Sequence, residues 1–187
     1  MADVIACKSG EMVAHCKNWT VEELELLYST LDDYIFSDYL DEPYSIVRTT
    51  SQDYAGLAVA RSDNYGNPYF EIRISDLAYK APPAMGLLDF FDLLISKPEH
   101  FQGTIAHELT HLATRFHPEL LDWWIEGKEA SGVELGRGSW RLGLFYDWGT
   151  YDELENDAEL YYMRVEEEQF AMATSALMYE PSWARGP

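Results

Sequence analysis

The segment Thr104-Ile105-Ala106-His107-Glu108-Leu109-Thr110-His111 constrains this chain more than any other. It contains the pattern His-Glu-x-x-His. On an α-helix, His107 and His111 stand one turn apart with their rings pointing the same way. Two neutral imidazoles so placed bind one tetrahedral Zn²⁺. Glu108, about 100° further round, then lies beside the metal's open position, where a carboxylate can take a proton from water. The surrounding residues supply the helix that this chemistry needs. Ser96-Lys97-Pro98-Glu99 reads as a capping box with proline near the first helical position. Phe101, Ile105, Leu109, Leu112 and Phe116 form an apolar stripe on the side away from the two histidines. Phe116-His117-Pro118 ends the helix, because a residue before proline is pushed out of helical geometry. Gly103, Thr110 and Thr114 are the small neighbours of the histidines one turn away, and the spacing predicts room for a substrate there.

The rest of the chain predicts an α+β fold. Thr20-Val21-Glu22-Glu23 is a second capping box, and Val21, Leu24, Leu27, Leu31 and Ile35 follow at helical spacing, so a helix is expected over 20–36. Residues 44–49 and 56–60 read as strands. Turn chemistry over 62–68 leads to a third, in which Phe70, Ile72 and Ile74 alternate with polar residues. These strands predict a small twisted sheet packed on the His-bearing helix. If the third strand is an edge, a peptide can add to it. Leu87 to Ile95 looks like a short buried helix, with Asp89 and Asp92 on a solvated edge. Beyond Pro118, a short helix carries Leu120, Leu121, Trp123, Trp124 and Ile125. A glycine-rich loop is expected over 127–149, with Trp140, Phe145, Tyr146 and Trp148 lining a groove or pinning the loop to the core. Thr150-Tyr151-Asp152-Glu153 caps a long helix whose apolar stripe is Leu154, Ala158, Tyr161, Val165 and Met172.

At 187 residues and 47% hydrophobic, the chain suits one domain over 1–187, with a sheet-plus-helix part about 20–117 and a helical part about 118–180. A net charge of −20 with 13 Lys and Arg argues against a nucleic-acid partner, which needs a basic stripe, and would attract a basic peptide or protein substrate. No apolar run approaches the roughly 20 residues of a membrane span, and the N-terminus lacks the layout of a signal peptide. A soluble, cytoplasmic chain without a membrane partner is expected. Cys7 and Cys16 are compatible with a bridge or with reduced thiols and match no zinc-site spacing.

A catalytic zinc usually takes three protein ligands, so the motif demands a further donor. Three candidates stay open: Glu155, His117 and Asp152. Glu155 flanks the apolar stripe of its helix, Ala158 lets that helix come close, and Glu159, one turn on, is placed to accept a proton from a ligating imidazole. His117 follows His111 within a few residues, on the same side of Pro118. His-Glu-x-x-His with a downstream Glu155-Asn156-Asp157-Ala158-Glu159 resembles the gluzincin class of zinc metallopeptidases. That resemblance implies a zincin-like fold, Glu155 as third ligand and the acid one turn later as its support, although Glu159 stands where Asp or Asn is usual. The spacing from His107 and His111 to His117 is similar to that of metzincins and of zincins with His-Glu-x-x-His-x5-His, and Ala176-Leu177-Met178-Tyr179 resembles the metzincin methionine turn. Thr114 stands where metzincins carry glycine. Gly149-Thr150-Tyr151-Asp152 is similar to the Gly-Thr segment of aspzincins.

The expected function is a zinc-dependent metallopeptidase that hydrolyses peptide bonds through a zinc-bound water with Glu108 as general base. One of Tyr146, Tyr151, Tyr161 and Tyr162 is available to stabilise an oxyanion. The alternative is a non-catalytic, acidic protein-binding module that keeps the zincin fold.

Overall fold

The computed structural model describes residues 4–5, 18–62, 65–79, 98–131 and 158–179. Within them the order is β1 (Val4–Ile5), α1 (Val21–Asp33), a 3-10 turn at Ser37–Tyr39, β2 (Tyr44–Arg48), β3 (Gly56–Ser62) and β4 (Pro68–Ile74). A second 3-10 turn (Asp76–Tyr79), α2 (Pro98–Phe116), α3 (Glu119–Ser131) and α4 (Ala158–Tyr179) follow. This is a mixed α and β architecture in which a small sheet carries helices, as the periodicities predict.

Helix α1 begins where its capping box requires. Thr20 Oγ1 accepts from the Glu23 N–H at 3.1 Å and Glu23 returns the bond to the Thr20 N–H at 2.9 Å. Leu24 and Leu27 are buried, whereas Val21 and Ile35, both expected on the apolar stripe, are exposed. Ile35 lies beyond the helix, which ends at Asp33.

The sheet order is β1-β2-β4-β3, with β2 parallel to β4 and β3 antiparallel to it. Tyr44, Ile46, Ile72 and Ile74 turn their side chains into the core, as the alternation in β2 and β4 demands. The strand Phe70–Ile74, considered above as an edge, is instead interior: β4 is paired on both sides, and the outer strands among the described residues are β1 and β3. Alternation of apolar and polar residues shows which face is buried but not which neighbours a strand has.

Helix α2 covers the sheet. Phe101, Ile105, Leu109 and Leu112 are buried to 1% exposure or less, and Phe116 packs at the edge of the same core. It ends before His117-Pro118, with the His117 N–H donating to the Ala113 carbonyl at 2.8 Å. Helix α3 follows and runs to Ser131, so the loop expected from 127 starts at least five residues later. Trp124 stacks on Phe170 of α4 at 5.2 Å.

The packing of α2 against α4 is the most extensive contact between elements. Among the described side chains of α4 the buried ones are Glu166, Phe170, Ala171, Thr174 and Ser175, while Val165 and Met172 of the expected stripe are only half-buried; the side chains of Leu154, Ala158 and Tyr161 lie outside the described ones. The residues resembling a methionine turn lie inside α4, so Met178 is helical and packs on the core. Cys7, Cys16, Asp89, Asp92, Trp140, Phe145 and Trp148 lie outside the described residues. No described helix is long and apolar enough to cross a membrane.

Candidate metal centre

The two histidines of α2 converge as helical spacing dictates. Their Nε2 atoms lie 3.0 Å apart and the rings meet edge to face at 4.7 Å. The third member of the cluster is Glu168 on α4. Its Oε2 is 3.3 Å from His107 Nε2 and its Oε1 is 3.3 Å from His111 Nε2. His107, His111 and Glu168 are the group of potential metal ligands that the described residues bring together.

Three observations show that this set fits a small, nitrogen-preferring divalent cation. The spacings of 3.0 and 3.3 Å are close to the roughly 3.3–3.4 Å edge of a tetrahedron with bonds of about 2.0–2.1 Å. Glu168 Oε2 is buried with no hydrogen-bond partner, only the His107 ring 3.3 Å away, an expensive state for a carboxylate oxygen unless a cation satisfies it. The donor set, two imidazoles and one carboxylate, suits zinc and similar metals.

Glu167 orients the site. Its Oε1 accepts from His111 Nδ1 at 3.1 Å and from Thr114 Oγ1 at 3.2 Å. With the proton on Nδ1, His111 Nε2 presents a lone pair to the cluster. Glu167 thus supports His111 in the way expected of Glu159; the Glu159 side chain itself lies outside the described ones. Burial opposes charge on His111, but Glu167 and Glu168 outweigh it and hold its pKa well above the ordinary value. Burial likewise pushes the Glu168 carboxyl up, and its contacts with His107 and His111 reverse this, leaving it well below the usual carboxylate range.

Glu108 is buried at 5% exposure. Burial raises its pKa, against the lowering effects of His107, His111 and an Ala58 N–H and with the help of the Glu168 charge. The carboxylate lies on the backbone of β3 at Gly56, where a Cβ would come within 2.5 Å of Oε1. The start of β3 is pinned to the end of β4: the Ser75 N–H donates to the Ala55 carbonyl at 2.9 Å, and Ser75 Oγ donates to the Tyr54 carbonyl. Since Ala55 pairs towards β4, alternation turns Ala58 outward, so Glu108 sits along the side of β3 that pairs with no strand among the described residues. Glycine inside a strand marks such a close approach.

The small residues of α2 serve packing instead of leaving space. Gly103 faces Ser175 closely, Thr110 is fully buried and accepts from Tyr34 Oη at 3.0 Å, and Thr114 binds Glu167.

The structure places His117 apart from the cluster. Its Nδ1 is 2.9 Å from Glu119 Oε1 and its Nε2 is 3.0 Å from Asp41 Oδ1, so both ring nitrogens are engaged at the surface. Glu155, Asp152, Tyr146 and Tyr151 lie outside the described residues, and the side chains of Tyr161 and Tyr162 outside the described ones. Sequence reasoning missed Glu167 and Glu168 because Glu166-Glu167-Glu168 has the look of a solvated acidic run. The signal was downstream, where Ala171, Thr174 and Ser175 repeat small residues at helical spacing and let α2 approach the acidic turn. Comparison with protein-family models, curated proteins and solved structures finds no match to this chain.

Proposed function

We propose that this chain is a zinc-dependent metallopeptidase with a zincin-like fold, in which His107, His111 and Glu168 hold the ion and Glu108 is the general base. The observation that carries the reading is the closed triangle of three donor atoms from two helices, with a buried carboxylate one residue from the first histidine. When bound, zinc supplies Lewis acidity that brings the ionisation of a water to about pH 7 and polarises a carbonyl.

The protein's own groups do the rest. Glu108 accepts the proton from the attacking water and returns it to the departing amine. Glu167 fixes the tautomer of His111. Strand β3 offers outward backbone groups beside Glu108 for an extended peptide, the role considered for β4 in the sequence. An acidic chain of net charge −20 favours a basic peptide or protein as substrate.

Zinc titration against a competing chelator, combined with cleavage of a denatured protein mixture, tests the reading. One ion per chain is expected. Glu168→Gln should weaken zinc binding by about tenfold or more, and Glu155→Gln should leave it unchanged; the reverse result moves the third ligand. Glu108→Gln should keep zinc and lose cleavage. Full activity in that zinc-loaded variant would remove the proposed base, and stoichiometric zinc without any cleavage by the unaltered chain would favour the binding module.

A further inference from the structure

A second feature lies away from the metal centre, where the 3-10 turn after α1 meets the start of α3. Phe36, Tyr39, Glu119, Leu120 and Trp123 line a cavity of about 250 Å³. Phe36 forms its corner, meeting Tyr39 at 6.2 Å and 67° and Trp123 at 6.4 Å and 72°. Its back rests on Phe170 of α4, 5.3 Å from Phe36. The three rings thus stand as walls instead of stacking on one another.

Two of these walls are open to solvent: Trp123 is 60% exposed and Tyr39 37%. A tryptophan in this state is not explained by the core. The cavity is smaller than the roughly 300–1,000 Å³ of sites for drug-sized ligands, and suits a single side chain. Glu119 is the charged residue of its lining. The two segments that supply the lining, 35–43 and 117–126, also contain Asp38, Asp41, Glu42, Asp122 and Glu126, with His117 beside Tyr39 and no Lys or Arg. The Glu119 side chain is 67% exposed while one of its oxygens meets His117. Aromatic faces carry negative quadrupole potential, and a carboxylate at the mouth adds full charge, so walls and rim select the same guest.

We propose that this notch is a docking point for a cationic side chain, Lys or Arg, of a basic polypeptide partner. The guest's alkyl stem lies against Leu120 and Phe36, and its charged head is held between Tyr39, Trp123 and Glu119. The inference does not depend on the hydrolytic reading, since none of these residues belongs to the metal cluster.

The probe is a blocked pentapeptide of alternating glycine and arginine, with a control in which citrulline replaces arginine, preserving shape and removing charge. Binding to the full chain in the Glu108→Gln background, where the probe cannot be cut, is followed by calorimetry and by the NMR signal of the Trp123 indole N–H. The arginine peptide should shift that signal and bind about tenfold more tightly than the citrulline peptide. Trp123→Ala should abolish the difference, and Glu119→Gln, a surface change that keeps the fold, should reduce it several-fold. Equal binding of the two peptides, or charge-dependent binding that survives both substitutions, would overturn the proposal.

Discussion

Gly56 is the position where a single atom bears most directly on the proposed chemistry. A methyl group there would enter the space of the Glu108 carboxylate, meeting Oε1 at 2.5 Å and Cγ at 2.6 Å, and the carboxylate would have to move. We expect Gly56→Ala to retain zinc and to lose about 10²-fold in cleavage rate, the cost of misplacing a catalytic group by around 1 Å. Steady-state kinetics beside a zinc assay checks it, and an unchanged rate would show that Glu108 works from another position. His117 allows a test on the surface. Glu119 and Asp41 raise its pKa, so its protonated form is favoured more in the folded chain than in the unfolded one. The stabilisation is fully present below the unfolded value of about 6.5 and disappears as pH rises through the folded value. His117→Asn should therefore lower the melting temperature more at pH 5.5 than at pH 9. A pH-independent difference would mean that the two carboxylate contacts do not persist in solution.

Among the elements, α1, β2 and the end of the sheet are joined by one cation. Arg48 Nη2 lies 2.7 Å from Glu23 Oε1 and 2.9 Å from Asp76 Oδ1, its Nη1 donates to the carbonyls of Thr49 and Ile74, and its guanidinium lies over Phe101. Glu23 thereby serves both the capping box and a buried ion pair. Removing the cation leaves that carboxylate buried without its partner, so Arg48→Met should destabilise the fold by about 3–5 kcal/mol. Chemical denaturation measures this, and a loss under 1 kcal/mol would show that Glu23 is better hydrated than its burial implies. The capping box of α1, the stripe of α2 and the alternation in β4 were legible because each depends on residues close in sequence. The face of α4 was not. Its acidic turn is buried only because histidines from another helix and Lys128 of α3, which binds both oxygens of Glu166, meet it there.

For the molecule as a whole, the cluster of His107, His111 and Glu168 joins α2 to α4, and a cation bound there, as proposed, would stabilise the folded arrangement that it selects. At free zinc about 1,000-fold above its dissociation constant, stability should rise by about 4 kcal/mol, and the melting temperature by about 8–16 °C for a chain of this size. Scanning calorimetry with and without chelator reads the shift, and its absence would show that the folded cluster does not hold zinc. Sequence alone determined that His107 and His111 share a helix face with Glu108 beside them, because helical periodicity is local. It also determined which faces of β4 and α2 are buried. Only the tertiary structure decided that β4 is interior with β3 at an edge, that Gly56 lies against Glu108, and that Glu168 completes the triangle while His117 stays outside. Those outcomes depend on which distant surfaces meet, and an acidic turn has the same composition whether it faces water or two imidazoles.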